Sequence, residues 1–277
     1  MRLFLAIAAA LFVMVAITPT KRLAAQDQPL ESLDTLDQVR GWQAVGRIDI
    51  GGRGFCTGTL ITSDLVLTAA HCLYNKRTGE RVRTSDITFK PGLRNGRAAA
   101  FRSVRRSAVH PKYTYGDPDT INRVATDIAL LELSRPIVQS DITPLRVDPQ
   151  RRWLQEVALV SYAREREESP SLQSRCRVLE REDVVQVLSC DVDFGASGAP
   201  VITMVAGQPR VVSVISAKSQ WKDERVALAV KVESAVEYLR PQLQDDTGAR
   251  PLGAPRIRTL NDGRTMSGGA GAKFVRP

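Results

Sequence analysis

Ser197 lies in Asp191-Val192-Asp193-Phe194-Gly195-Ala196-Ser197-Gly198-Ala199-Pro200, directly ahead of the apolar pair Val201-Ile202. A serine among small residues, bounded by Gly195 and Pro200, fits a tight bend that exposes its hydroxyl and leaves nearby backbone N–H groups open, as a nucleophile beside an oxyanion-binding pair requires. On its own the cluster also reads as an ordinary turn between strands, and Ala199 departs from the G-x-S-x-G elbow. Two other segments supply what a serine needs for activation: Leu67-Thr68-Ala69-Ala70-His71-Cys72 and Thr126-Asp127-Ile128-Ala129-Leu130-Leu131. The chain has two histidines, His71 and His110, which narrows the choice of general base. Asp127 could orient the imidazole, its plain alternative being a turn cap at a strand start. Asp117 and Asp119 are nearby carboxylates, but neither leads directly into an apolar strand.

The elements that must hold these groups are mostly short strands. Apolar runs at 45–50, 54–61, 65–68, 87–89, 98–104 and 128–133 are separated by Gly-Gly, Ser-Asp and other turn signals. Residues 110–126, rich in Pro, Tyr, Gly, Asp and Asn, read as a long loop delivering Asp127. Further strands are expected at 153–161, 172–179, 184–190, 200–205, 210–217 and 225–231, with a charged loop at 164–168. Val232, Val236, Leu239 and Leu243 recur at helical spacing, disturbed by Pro241. Many short strands without repeated long helices exclude a β/α barrel and a doubly wound sheet, and fit two antiparallel barrels followed by one helix, with the reactive groups converging between them.

The chain has 277 residues, 43% of them hydrophobic, with 19 glycines, 15 prolines and a formal net charge of +9. Residues 1–25 read as a signal peptide, with a retained N-terminal anchor as the alternative: Arg2, an apolar stretch from Leu3 to Ile17 that is shorter than the roughly 20 residues of a membrane span, and the small-residue site Leu23-Ala24-Ala25. Its removal takes away Arg2, Lys21 and Arg22 and no acid, leaving about +6. That charge alone does not choose between anionic polymers and a membrane face. No aromatic-basic ladder accompanies it, so no specific nucleic-acid partner is expected. Cys56, Cys72, Cys176 and Cys190 all follow the leader and fit an oxidising, secreted or periplasmic compartment; sequential pairing is expected among three connectivities. Residues 26–40 form either a short amphipathic helix or an extension or propeptide, and 244–277 a disordered basic tail that could associate weakly with anionic surfaces.

The trio at 67–72, 127–131 and 195–200 resembles the signatures of the chymotrypsin-like serine peptidases, in that family's His, Asp, Ser order, over about residues 41–243. It is closer to the secreted bacterial branch related to glutamyl endopeptidases than to the vertebrate digestive enzymes. The resemblance implies an all-β fold of two packed six-stranded antiparallel barrels with a C-terminal helix: 41–138 for the first barrel, 139–152 for a connector and 153–243 for the second barrel with its helix. It also implies a secreted endopeptidase acting through an acyl-enzyme, without cofactor or catalytic metal, on protein or peptide substrates, as a monomer. His71 would be the general base, Asp127 its orienting acid, Ser197 the nucleophile, and the N–H groups of Gly195 and Ser197 the oxyanion donors. The Cys56–Cys72 bridge would anchor the histidine loop, and His110 would be structural.

Some positions depart from that family. Ala196 stands where vertebrate members carry an aspartate for a newly cut N-terminus, and no Ile-Val-Gly-Gly start occurs near Gly41. Counting back without gaps puts Asp191 at the base of the specificity pocket, weakly favouring Arg or Lys, although a disulfide-adjacent surface turn is the competing role. Ser216, Ala217 and Lys218 resemble the strand that pairs with substrate. Ile215 stands where the glutamate-preferring branch has histidine, and Lys218 where glycine often keeps the entrance open. The alternative function is a catalytically inactive, protease-shaped binding or adhesion protein, and a serine esterase is a further one.

Overall fold

The computed structural model describes residues 27–118, 120–138, 142–148 and 154–245. The expected leader, Asp119, and the basic tail beyond Asp245 lie outside the described residues. A short strand β1 (Glu31–Ser32) and a one-turn helix α1 (Leu36–Val39) come first, followed by β2 (Val45–Ile50), β3 (Phe55–Leu60), β4 (Leu65–Thr68), β5 (Ile87–Pro91), β6 (Arg102–Val109), helix α2 (Thr120–Thr126) and β7 (Ala129–Leu133). The strands β2-β3-β4-β7-β6-β5 close into an antiparallel barrel. After β8 (Arg146–Val147) come β9 (Glu156–Ala163), β10 (Arg166–Glu182), β11 (Val185–Leu188), β12 (Pro200–Val205), β13 (Gln208–Trp221), β14 (Glu224–Lys231) and the C-terminal helix α3 (Glu233–Asp245). Antiparallel pairing runs β9-β10-β11-β14-β13-β12 and back to β9, closing a second ring of six, to which β1 adds along β10 and β8 in parallel along β13.

β4 (LVLT) and β7 (ALLEL) are buried at every position, so they read as apolar runs rather than alternating strands. The acid in β7 is accommodated by its neighbour strand: Glu132 accepts from Arg106, opposite it on β6, and from Arg105. These guanidinium groups, Arg106 first, hold its carboxyl below the ordinary range despite burial. Tyr162 of β9 is fully buried where the barrels meet, and its hydroxyl donates to the Leu93 carbonyl at 2.8 Å. The α3 side chains Val236, Leu239 and Leu243 are buried, and the helix packs back across β6 and β7 of the first barrel.

Four elements differ from the sequence reading. The strand expected at 98–104 is displaced to Arg102–Val109, because Ala98–Phe101 forms the bend before it. The end of the 110–126 loop is the helix α2, TINRVAT. Its β-branched residues give it weak intrinsic propensity, and it is held by Val124, which packs with Val185 and Leu228 of the second barrel. The charged loop at 164–168 is a two-residue hairpin turn, Arg164-Glu165, with Glu165 at φ +65°, after which β10 already runs. The segment before Gly41 is laid on the body: β1 pairs with β10, and Asp27 forms an ion pair with Arg177 at 3.2 Å. Its helix α1 is set by a capping box, in which the Thr35 hydroxyl accepts from Gln38 N–H and the Gln38 side chain accepts from Thr35 N–H.

Candidate active site

Strand register alone brings two of the expected residues together. β4 pairs with β7 with Thr68 opposite Ala129, so His71, three residues beyond one strand, and Asp127, two residues before the other, emerge at the same end of the first barrel. His71 sits in a 3-10 turn, Ala70–Leu73, pinned by the Cys56–Cys72 disulfide. Asp127 is buried, and three donors converge on its carboxylate: His71 N–H at 2.8 Å and the ring Nδ1 at 2.7 Å, both from the first barrel, and the Ser216 hydroxyl at 2.5 Å, from β13. A buried carboxylate is tolerated when hydrogen-bonded in this way. With Nδ1 held by Asp127, Nε2 is the ring nitrogen left for a second partner; its contact is with Cys72 Sγ at 3.9 Å, and among the described residues no hydrogen bond joins it to Ser197. Burial, with the Asp127 charge adding to it, raises the phenol of nearby Tyr113 well above its ordinary range.

Ser197 comes from the second barrel. Its turn starts with Asp193-Phe194-Gly195-Ala196, closed by Ala196 N–H donating to the Asp193 carbonyl at 2.9 Å, with Gly195 at φ +101°, the left-handed value a type II turn demands at that place. A Cβ on Gly195 would enter the Phe55 ring, and one on Gly198, at φ +81°, would collide with the Thr57 carbonyl and the Thr68 hydroxyl. Both glycines therefore permit close approach as well as the turn. The Phe194 carbonyl accepts from Arg164 N–H at 2.7 Å, which directs the N–H of Gly195 to the opposite side of the planar peptide. Among the described residues, neither Gly195 N–H nor Ser197 N–H donates to a protein acceptor. Thr57, fully buried on β3, holds the whole turn across the barrel interface: its N–H donates to the Ser197 carbonyl at 2.8 Å and its hydroxyl to the Gly195 carbonyl at 2.9 Å, while Tyr162 N–H donates to that hydroxyl at 3.0 Å.

His71 and Ser197 face one cavity of about 240 Å³, whose lining includes Lys76, Val192, Asp193, Phe194, Ile215, Ser216, Ala217 and Lys218. Lys218 donates to Asp193 at 2.7 Å and lies over the Phe194 ring at 4.1 Å, and that hydrogen bond, more than any other cause, holds the Asp193 carboxyl below its ordinary range. Asp191 is not in this lining. It is exposed, its N–H donates to Gln173 Oε1 at 2.8 Å, and its charge acts on Arg166, a guanidinium that burial holds below its usual value. The Cys176–Cys190 bridge ties the preceding residue to β10, and the exposed Asp191 beside it has the disulfide-adjacent surface setting that competed with the pocket-base role.

The remaining expected positions separate cleanly. His110 is away from the cleft, its ring 6.1 Å from that of Tyr238 on α3, with burial and then Lys112 lowering its proton affinity. Both disulfides join sequential cysteines. Cys56, His71 and Cys72 bring ligand-type atoms within 4.8 Å of one another, but both sulfurs are bonded to each other and offer no thiolate to a metal. Sequence reasoning missed Thr57 and the hydrogen bond from Ser216 to Asp127. The adjacency of Thr57 to Cys56 was the available signal, since the bridge from Cys56 ends beside His71.

The sequence pattern of the Trypsin family matches residues 35–239, more than half of the chain. The chain belongs to the trypsin family, the chymotrypsin-like serine peptidases. Among curated relatives, human kallikrein-10 is 38% identical over 85 residues, covering 30% of this chain and 28% of that protein. Serine protease 7 of Drosophila melanogaster is 35% identical over 122 residues, covering 39% and 30%. Transmembrane protease serine 9 of Rattus norvegicus is 33% identical over 117 residues, covering 41% and 10%. The chain thus spans less than a third of the length of these relatives. A solved structure of a Glu endopeptidase in complex with MPD superposes with a TM-score of 0.64 over 79% of this chain and 98% of that one, at 18% identity. At that identity the likeness is one of fold.

Proposed function

We propose that this trypsin-family chain is a serine endopeptidase in which Ser197 attacks the scissile carbonyl, His71 takes its proton and returns it to the departing amine, and Asp127 holds the imidazole in the working tautomer and stabilises the imidazolium. The N–H groups of Gly195 and Ser197 receive the oxyanion, and water then hydrolyses the acyl-enzyme. The observation that carries this reading is the buried Asp127 carboxylate fixing His71 at 2.7 Å, with the ring and Ser197 facing the same cavity. No residue in the sequence of steps needs a metal.

On the acyl side, the cavity lining includes Val192, Ile215 and Ala217, with Lys218 paired to Asp193 and Lys76 the one lining cation without a carboxylate partner among the described residues. This favours an uncharged side chain before the scissile bond over the Arg or Lys that Asp191 was expected to select. Export is the matching cellular reading. Two disulfides suit an oxidising compartment, and among the described residues no helix is long and apolar enough to cross a membrane.

Cleavage of a mixture-based peptide library, read by mass spectrometry, tests the reading. The expected result is hydrolysis after small or apolar residues that vanishes in Ser197→Ala. Hydrolysis retained in that variant, or confined to small esters in the unaltered protein, would overturn it.

A further inference from the structure

We infer that a second cavity, on the leaving-group side of His71, is a subsite for acidic side chains, so that the substrates are peptides carrying Glu or Asp within the first two residues after the scissile bond. The inference rests on the peptidase reading and adds a substrate class to it. The cavity has a volume of about 360 Å³, shares His71 and Lys76 with the Ser197 cavity, and its lining includes the apolar Phe55, Tyr74 and Val82 and the cations Arg53, Lys76 and Arg77. Its lining contains no residue of β13, the strand whose Ser216–Lys218 segment borders the acyl side. His71 must lie within hydrogen-bond reach of the departing nitrogen to protonate it. The chain beyond that nitrogen therefore leaves past His71 into this second cavity.

Arg53 and Arg77 line the second cavity alone, whereas Lys76 stands between the two and lines both. Lys218 is spent on Asp193 at 2.7 Å. Among the described residues, Arg53, Lys76 and Arg77 have no carboxylate in ion-pair contact; Lys76 lies 5.5 Å from the Phe194 ring centre, and it is the backbone N–H of Arg77, not its guanidinium, that donates to Asn75 Oδ1. All three are exposed. An apolar lining shared with unpaired cations matches a glutamate, whose methylenes pack on the apolar side chains while its carboxylate meets the guanidinium and ammonium groups. Exposed charges are individually weak, so each pairing is worth roughly a two- to fivefold change, and salt diminishes it.

The test uses internally quenched peptides identical up to the scissile bond and carrying Glu, Gln or Lys at the first or second position after it. At low salt the unaltered protein is expected to cleave the better-placed Glu peptide about tenfold faster, in kcat/KM, than its Lys counterpart. That ratio should shrink towards one in ~1 M salt, where screening acts over ~3 Å. R53E/R77E should invert the preference and R53Q/R77Q should lower it. The distant pair K222E/R240E, with the same change in net charge, should leave it in place. A Glu-to-Lys ratio near one in the unaltered protein, or a ratio shifted equally by the distant pair, overturns the subsite while leaving the peptidase reading intact. Failure to cleave any of the peptides, together with no uptake of a fluorophosphonate at Ser197, removes the peptidase reading and the subsite with it.

Discussion

The two halves of the cleft are held by different means. His71 and Asp127 belong to one barrel, and the pairing of Thr68 with Ala129 delivers them to the same end before any contact between barrels is considered. Ser197 belongs to the other barrel, on a turn with left-handed glycines at 195 and 198, and its carbonyl and that of Gly195 are tied to Thr57 of the first barrel. The difference teaches that His71 and Asp127 are positioned by local register, whereas the turn that carries Ser197 and the open N–H groups of Gly195 and Ser197 depends on docking between barrels.

The largest expected effects lie in the chemistry both halves serve. Ser197→Ala and His71→Ala should each lower kcat on the order of 10⁶-fold, and Asp127→Asn about 10⁴-fold, measured on one peptide. Equal, small losses in all three would break the comparison at its root. Next comes Gly198→Ala, where the added Cβ has nowhere to go between Thr57 and Thr68. It should cost activity while leaving the His71 and Asp127 contact, read as the low-field imidazole proton by NMR, in place. If that proton signal disappears as well, the halves are not independent.

Thr57→Val sharpens the same contrast. It removes one hydroxyl of nearly unchanged shape from beneath Gly195, and kcat is expected to fall about tenfold with KM steady, since a full oxyanion donor is worth roughly 10²- to 10³-fold. Thr57→Ser should restore most of the loss. A change in KM alone would assign Thr57 to substrate binding rather than to the turn.

The smallest effect concerns the barrel that carries the base. Glu132→Gln should destabilise the protein by about 1 kcal/mol near neutral pH, a value kept low because Arg105 is largely exposed. The folded carboxyl is held below 4.5, its ordinary value, by Arg106 and Arg105. Its stabilisation is therefore present above that value and lost as pH falls through the folded one. Denaturation curves of the two proteins should converge in acid; a constant difference across pH would mean that packing, not charge, is responsible.

This division also explains what was legible in the sequence. The motifs around His71, Asp127 and Ser197 stood out because small residues, a lone acid before an apolar run and a scarce histidine are local signals. Strand existence was readable for the same reason, down to β4 and β12. Helix α2 was not, since its stability comes from Val124 reaching Val185 and Leu228 rather than from its own residues. For Asp191 two roles stayed open, pocket base or disulfide-adjacent turn, because the path of the chain after the Cys176–Cys190 bridge is not a local signal. Thr57 stayed silent because its partners are 105 and 138 residues away.

Whether the two halves meet to activate one hydroxyl is decided most directly by intact-mass measurement after treatment with a fluorophosphonate, followed by peptide mapping. A single adduct on Ser197 in the unaltered protein, slowed by orders of magnitude in His71→Ala, is the expected result. Labelling of Ser197 at the same rate in both proteins, or no labelling of it at all, would contradict the account.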